Sequence, residues 1–325
     1  MKTAKLILLL ILPLVSWFLL TSHANALTVS PVLVNQDIAP GTRANGKMLI
    51  INDGTQTQTY YISVQSFVPI GEEGEQQYLD ENIVSGLPSW FRFAQTTYTV
   101  GPLETVEVPY SIAVPQNGEP GGHYATVFFS TNPNEASQGT SINIAAKTGI
   151  LYLINVSGNV KEMADIESFR VNQNIFSHLP AMMSLRIRNT GSVHFIPVGT
   201  LTVRNIFGGI VARVPTNPKK SAVLPNSIRR LDTWWTKSEK IETEGFFAGV
   251  INEWRNFAIG RYTATVDVKY GSLNTSLPAQ VATFWVIPWR LITIFFALAI
   301  LLIVLMKLYN KMIVSSALKR SSKKK

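Results

Sequence analysis

Cysteine is absent from all 325 residues, which excludes a disulfide framework, a thiolate metal site and a cysteine nucleophile. Histidine is scarce: beyond the first 26 residues only His123, His178 and His194 occur. Their spacing does not make a metal-ligand set, and each fits a surface or hydrogen-bonded histidine better than a base or ligand. There is no glycine-rich phosphate loop, no His-Glu-x-x-His and no Gly-x-Ser-x-Gly, so the common phosphate, zinc-protease and serine-hydrolase signatures are missing. A glycosidase needs two carboxylates across a cleft, and Asp53, Asp80, Asp232 and Asp267 are too scattered along the chain to nominate a pair. The acidic stretch Gly71 to Asn82 does not match the order of a calcium-binding EF-hand loop and is expected to be a solvated hairpin or long loop. The chain is therefore expected to be no enzyme and to carry no cofactor and no metal.

Acid is also absent from the last nineteen residues, which hold seven cations: Lys307, Lys311, Lys319, Arg320, Lys323, Lys324 and Lys325. Lys2 and Lys5 add two at the other end, whereas residues 27–306 balance 20 Lys+Arg against 20 Asp+Glu. The formal net charge of +9 thus belongs to the two termini. A nucleic-acid partner is not expected, because such a partner calls for a basic face on the folded part.

Two long apolar runs are present. Residues 1–26 have the form of a secretory signal peptide: a basic start, an apolar run from Leu6 to Leu20, and the small-x-small triplet Ala24-Asn25-Ala26. The second run, residues 287–308, is 22 residues long, about 33 Å as a helix and enough to cross a hydrocarbon core. Trp285 and Trp289 flank its start, where Arg290 can reach out to the interface; Lys307 and Lys311 flank its end. The positive-inside rule puts residues 309–325 in the cytoplasm and residues 27–286 outside, single-pass in the cytoplasmic membrane, with membrane lipid as one partner. Leu277-Pro278-Ala279-Gln280 superficially matches a wall-sorting signal, but Gln280 and Val281 stand where threonine and glycine are required.

Between the two runs the pattern is all-β. Val106, Val108, Tyr110, Ile112 and Val114 alternate with polar or small residues, and Tyr262, Ala264, Val266, Val268 and Tyr270 do the same. Turn signals fall at Asn52-Asp53-Gly54, Gly121-Gly122, Gly191-Ser192 and Gly208-Gly209. The signals recur in order. Ile51-Asn52-Asp53-Gly54 is echoed by Ile187-Arg188-Asn189-Thr190-Gly191, and Gly122-His123-Tyr124 by Gly260-Arg261-Tyr262, whose tyrosines are expected to enter a core. The pattern predicts two tandem immunoglobulin-like β-sandwiches, residues 27–160 and 161–286, ahead of one C-terminal transmembrane helix. The first holds 4 Lys+Arg and 11 Asp+Glu, the second 15 and 9, so opposite charge could bring them together or give each its own partner. From Gly245 to Gly260 the β pattern breaks: Phe246, Phe247, Val250, Ile251, Trp254, Phe257 and Ala258 fall at helical spacing. That helix either caps the open end of a sandwich or presents Phe246, Phe247, Trp254 and Phe257 as a partner surface.

Several short motifs then carry a resemblance. Leu27-Thr28-Val29-Ser30-Pro31, Ile50-Ile51-Asn52, Pro88-Ser89-Trp90-Phe91, the Val106 to Val114 strand ending in Pro115, and Gly121-Gly122-His123-Tyr124 together resemble the N-terminal domain of pilus-chaperone-like immunoglobulin folds. With a second β domain, an apolar span and a lysine-rich tail, the whole chain is similar to the WxL-interacting proteins of Gram-positive surfaces. That resemblance implies an ectodomain that binds cell-wall polymer and exported surface proteins. A soluble pilus chaperone holds its subunit's terminal carboxylate with cleft cations. Here Thr28 to Val34 has none, and the first domain offers only Arg43, Lys47, Arg92 and Lys147, so no residue takes that role. Expected is a surface-anchored binding or scaffold protein, with a chaperone or structural subunit of a surface assembly as the alternative. An edge strand able to accept an extended segment is the expected mechanism, and Pro109 within its strand hints at such an edge or a bulge.

Overall fold

A computed structural model of the chain describes residues 27–80, 85–132, 147–238 and 245–322, with side chains as far as Val314. The signal-peptide expectation lies outside the described residues. The chain forms two compact units. The first runs to Ile70 and resumes over Glu75–Lys161; the second takes the turn Gly71–Gly74 and everything from Glu162 on.

The first unit is a sandwich of a four-stranded and a six-stranded sheet. The smaller sheet orders β1 (Leu27–Ser30), β3 (Arg43–Asn52), β8 (Thr105–Ala113) and β6 (Phe91–Phe93), all antiparallel. The larger orders β2 (Leu33–Ile38), β10 (Lys147–Val156), β9 (Gly121–Ser130), β4 (Gln58–Ile70) and β5 (Glu75–Tyr78), with β7 (Thr97–Val100) also on β4. The first edge of the chain changes sheets: β1 pairs antiparallel with β3, and three residues later β2 pairs parallel with β10. The core lies between the sheets. Met48, Ile50, Val108 and Ile112 come from one side and Val127, Phe129, Tyr152 and Ile154 from the other, all fully buried.

The second unit repeats the plan. A three-stranded sheet orders β11 (Ala164–Val171), β13 (Ala181–Asn189) and β16 (Ile228–Trp235). It faces a six-stranded sheet of β12 (Ile175–Phe176), β19 (Gln280–Val286), β17 (Gly260–Tyr270), β14 (Val198–Asn205) and β15 (Ile210–Pro215), with β18 (Thr275–Ser276) on β17. Again the first edge changes sheets, β11 on β13 and β12 parallel to β19. The expected alternation of β17 holds along its length: Tyr262, Ala264, Val266, Val268 and Tyr270 all face the core.

The repeated Asn/Gly signals mark more than a turn. In the first unit Asn52 ends β3 fully buried. Its Nδ2 donates to the carbonyls of Gln56 (2.7 Å), Gly101 (3.0 Å) and Val100 (3.1 Å), and its Oδ1 accepts from Gly54 N–H at 3.0 Å. In the second unit Asn189 ends β13, equally buried. Its Nδ2 donates to Val193 O (2.8 Å) and Val223 O (2.9 Å), and its Oδ1 accepts from Gly191 N–H at 2.8 Å. Each amide thus satisfies a turn and a second, distant loop at once, which is what a buried amide must do to avoid a desolvation penalty. The other repeated signal diverges. Gly121 and Gly122 begin β9 rather than form a turn, and Tyr124 is half-buried on the outer face beside Phe67, whereas Tyr262 enters the core against Trp235 and Phe284. The register explains this. In β9 the inward residues are Ala125, Val127 and Phe129, which turns Tyr124 outward.

Asn52→Ala and Asn189→Ala are each expected to lower stability by about 1–3 kcal/mol, because carbonyls and an N–H group are left buried without partners. Denaturant unfolding followed by circular dichroism measures it. Losses within error of zero for both would mean the amides are replaceable by water.

Candidate functional site: the junction with the apolar helix, and an open strand edge

The last strand of the second sandwich runs into a long helix. β19 ends at Val286, buried in the core, and Ile287 N–H still bonds back to Phe176 O at 2.8 Å. Pro288 then stops the ladder. Its carbonyl accepts the first helical bond, from Ile292 N–H at 3.0 Å, and α3 (Trp289–Ser322) begins. The helix thus starts two residues later than hydropathy placed the span. Over Trp289–Val314 it is long and apolar enough to cross a membrane, and none of its apolar window is buried among the described residues. Lys307 and Lys311 lie within this continuous helix and are exposed. α1 is the short turn Leu87–Trp90, and α2 is Phe246–Arg255.

Proline at the helix cap has no side-chain oxygen to satisfy the first N–H groups, which are orphans in every α-helix. Glu253 of α2 supplies the acceptor. Its side chain has no exposure to solvent. Oε2 accepts from Leu291 N–H at 2.9 Å, and Oε1 accepts from Arg290 Nη1 at 3.1 Å. The carboxylate is therefore paired with a cation, hydrogen-bonded to backbone and placed at the positive end of the α3 dipole. The Arg290 guanidinium lies 4.5 Å from the Trp289 ring centroid, and the side chain is 24% exposed. Gly249 makes the approach possible, because a Cβ there would sit 2.5 Å from Arg290 Nε. Phe246 reaches the same place, its ring 6.2 Å from that of Trp289. Trp285, still in β19 and paired in register with Arg261 and Ile175, is half-exposed.

The helical spacing from Gly245 onward yields α2, which inverts the usual arrangement. Asn252 and Glu253 are its buried residues, as is Asn256 just past its end, while Phe247, Ile251 and Trp254 stand out, at 78%, 46% and 74% exposure. Asn256 joins it to the sandwich: its Oδ1 accepts from Ser238 N–H at 2.9 Å. Phe257 lies past the helix end, half-exposed, its carbonyl accepting from Lys237 Nζ at 2.6 Å. All four residues expected as a partner surface are exposed, Phe246 and Phe257 to the same extent, and Phe246 also meets the rings of Phe247 and Trp289.

A second feature was not visible in the sequence. β4 is paired with β9 from Tyr61 to Ser66. On its other side β7 reaches only to Tyr61 and β5 begins at Phe67. Ile62 N–H donates to Thr96 O at 2.8 Å, and Ser66 O accepts from Leu79 N–H at 2.9 Å, both away from β9. Strand alternation then directs the N–H and C=O of Val64 to that same open side, where no strand pairs with it among the described residues. A groove of about 340 Å³ lies there, lined by Ile62, Val64, Pro88, Phe91, Phe93 and Thr96 among others. Pro109 sits on another stretch that has no strand on one side among the described residues. It pairs with Lys47 of β3, while on its other side β6 reaches only Tyr110 to Ile112.

His123 Nε2 lies 2.8 Å from Glu119 O with its ring 4.6 Å from that of Trp90, His178 lies 2.6 Å from Leu179 O, and His194 is buried. In the acidic loop, Glu72 accepts from Arg186 Nε at 2.7 Å and Glu73 pairs with Arg230, within one unit. The hydrogen bond from Arg186 holds the Glu72 carboxyl below the usual carboxylate range. Among the described residues no group of three or more His, Asp or Glu converges to hold a metal ion.

Glu253→Ala is expected to destabilise the second unit by about 3–5 kcal/mol, since it strands Arg290 without a partner. Glu253→Gln keeps an acceptor for Leu291 N–H and should cost less. The full chain in detergent micelles, unfolded with denaturant and monitored by tryptophan fluorescence, gives both values. Equal, small losses would deny the carboxylate its role.

No family model matches the chain, and no curated protein sequence matches it. Solved structures do. The chain is similar to the class 5 fimbriae chaperone CfaA, at 10% identity over 80% of this chain and 99% of that one, with a TM-score of 0.39. It is similar to the Escherichia coli chaperone DraB, at 12% identity over 79% and 96% and a TM-score of 0.36. A chaperone–tip subunit pre-assembly complex of archaic Csu pili from Acinetobacter baumannii matches at 11% identity over 80% and 98%, with a TM-score of 0.36.

Proposed function

We propose that the chain is a non-enzymatic surface protein. Its apolar helix anchors it in the cytoplasmic membrane with the lysine-rich end inside, and its sandwiches hold an extended segment of an exported protein outside. The observation that carries this reading is the open stretch of β4. Val64 offers a main-chain donor and acceptor beside an apolar groove lined by Phe91 and Phe93, the arrangement that β-strand addition uses: backbone bonds for affinity, side-chain pockets for selectivity. A polypeptide satisfies such an edge more fully than a wall polymer does, so an exported protein is the favoured partner, in keeping with the resemblance to WxL-interacting proteins. Tethering at the membrane raises the local concentration of both partners and relaxes the affinity each contact must supply.

The alternative, a chaperone or structural subunit of a surface assembly, uses the same groove and the same class of occupant. The two readings part after capture: a scaffold retains its segment, and a chaperone surrenders it to a third protein.

The test is retention of exported proteins and of wall fragments by the full chain in detergent. Retention of exported proteins is expected. Val64→Pro, which removes the outward N–H while sparing the β9 ladder, should weaken it about tenfold or more, equivalent to one or two main-chain hydrogen bonds. Undiminished capture by a folded Val64→Pro chain, or retention of wall fragments alone, would sink the edge mechanism.

A further inference from the structure

A helix that buries its polar residues and exposes its aromatic ones is stable in water only at a penalty. α2 is such a helix: Asn252 and Glu253 face inward while Phe247, Ile251 and Trp254 stand out. At spacings of four and three residues these three share one face, so the exposed apolar surface is a continuous ridge about two turns long. Scattered exposed apolar residues need no explanation, but a contiguous ridge does.

The position of the ridge names its occupant. α2 is fixed to the first turn of α3 by the two bonds of Glu253 and by the Phe246–Trp289 contact. It therefore lies within one side-chain length of the residue at which the apolar helix begins. We infer that α2 is an interfacial helix, lying in the headgroup layer with Phe247, Ile251 and Trp254 turned toward the acyl chains. Its length, ten residues or about 15 Å, suits a helix lying flat rather than crossing. Trp289, half-exposed against Phe246, and Trp285, half-exposed four residues before it, are residues that favour the same layer. Exposed Arg255 in the last turn of α2 and Lys237 at Phe257 O supply cations beside the ridge for anionic headgroups. This surface is separate from the groove on β4: it meets lipid, and the groove meets protein. The second sandwich is then seated on the bilayer through two elements, a crossing helix and a lying one, where α3 alone would leave it free to swing.

The lack of cysteine gives a direct test, because any introduced cysteine is unique. The full chain is reconstituted in phosphatidylcholine–phosphatidylglycerol vesicles with a nitroxide at Phe247→Cys, Ile251→Cys or Trp254→Cys. One control label sits at Leu273→Cys, in the β17–β18 turn at the opposite end of the sheet from the apolar helix and 85% exposed; the other is Leu301→Cys, within α3. Power saturation with oxygen, which partitions into lipid, and with a nickel chelate, which stays in water, locates each label. The three α2 labels are expected to show an oxygen-to-nickel collision ratio several-fold above that at position 273, approaching that at position 301. A ratio equal to that at position 273 would put the ridge in water and overturn the inference. Shielding from both reagents would mean a protein surface covers it, a second copy if spin–spin broadening accompanies the shielding, and would overturn it equally.

Discussion

A carboxylate shut away from water holds the first turn of a helix whose apolar window is not buried against the described residues. Glu253 accepts from Leu291 N–H and Arg290, and Pro288 ahead of them has no side-chain oxygen with which to do so. An isolated apolar helix joined to a sandwich by two extended residues would be a flexible leash. This contact makes the joint specific, because a buried charge with two directed partners tolerates little displacement before it is stranded. The residues around it serve that contact. Gly249 leaves room for Arg290, Trp289 gives the guanidinium a ring to lie against, and Asn256 ties α2 to the sandwich through Ser238.

Much of the architecture was legible from the chain, because half-buried strands write their burial as alternation. β8 and β17 keep that alternation residue by residue. β16 is not legible in this way because Arg229 and Thr233 share the face of Leu231 and Trp235, leaving only those two to carry the apolar burial. The paired Asn/Gly signals were visible as turns. What local sequence could not display is that the same asparagine also reaches a second loop tens of residues away, a property of the fold and not of the segment.

The junction divides in the same way. Helical spacing from Phe246 and the tryptophans about the span were plain from the chain. The direction α2 faces was not, since periodicity gives a stripe without saying which medium the stripe meets. Nor could a lone glutamate in an aromatic helix announce a partner 37 residues away; the one local hint was an acidic residue amid apolar neighbours, which burial would punish unless it were paired. The open edge of β4 was hidden for another reason. It arises where two short strands, β5 and β7, fail to meet along one long one, and the neighbours that line the groove lie some thirty residues on.

The clamp is most directly examined by the spread of positions it permits. Spin labels at Leu273→Cys, exposed on the second sandwich, and at Leu301→Cys on α3 report the separation of domain and helix by pulsed dipolar spectroscopy in vesicles. A narrow distance distribution with Glu253 present, broadening markedly in Glu253→Ala and less in Glu253→Gln, is the outcome predicted. A distribution already broad with Glu253 in place, or one that Glu253→Ala leaves unchanged, would contradict a joint held by that carboxylate.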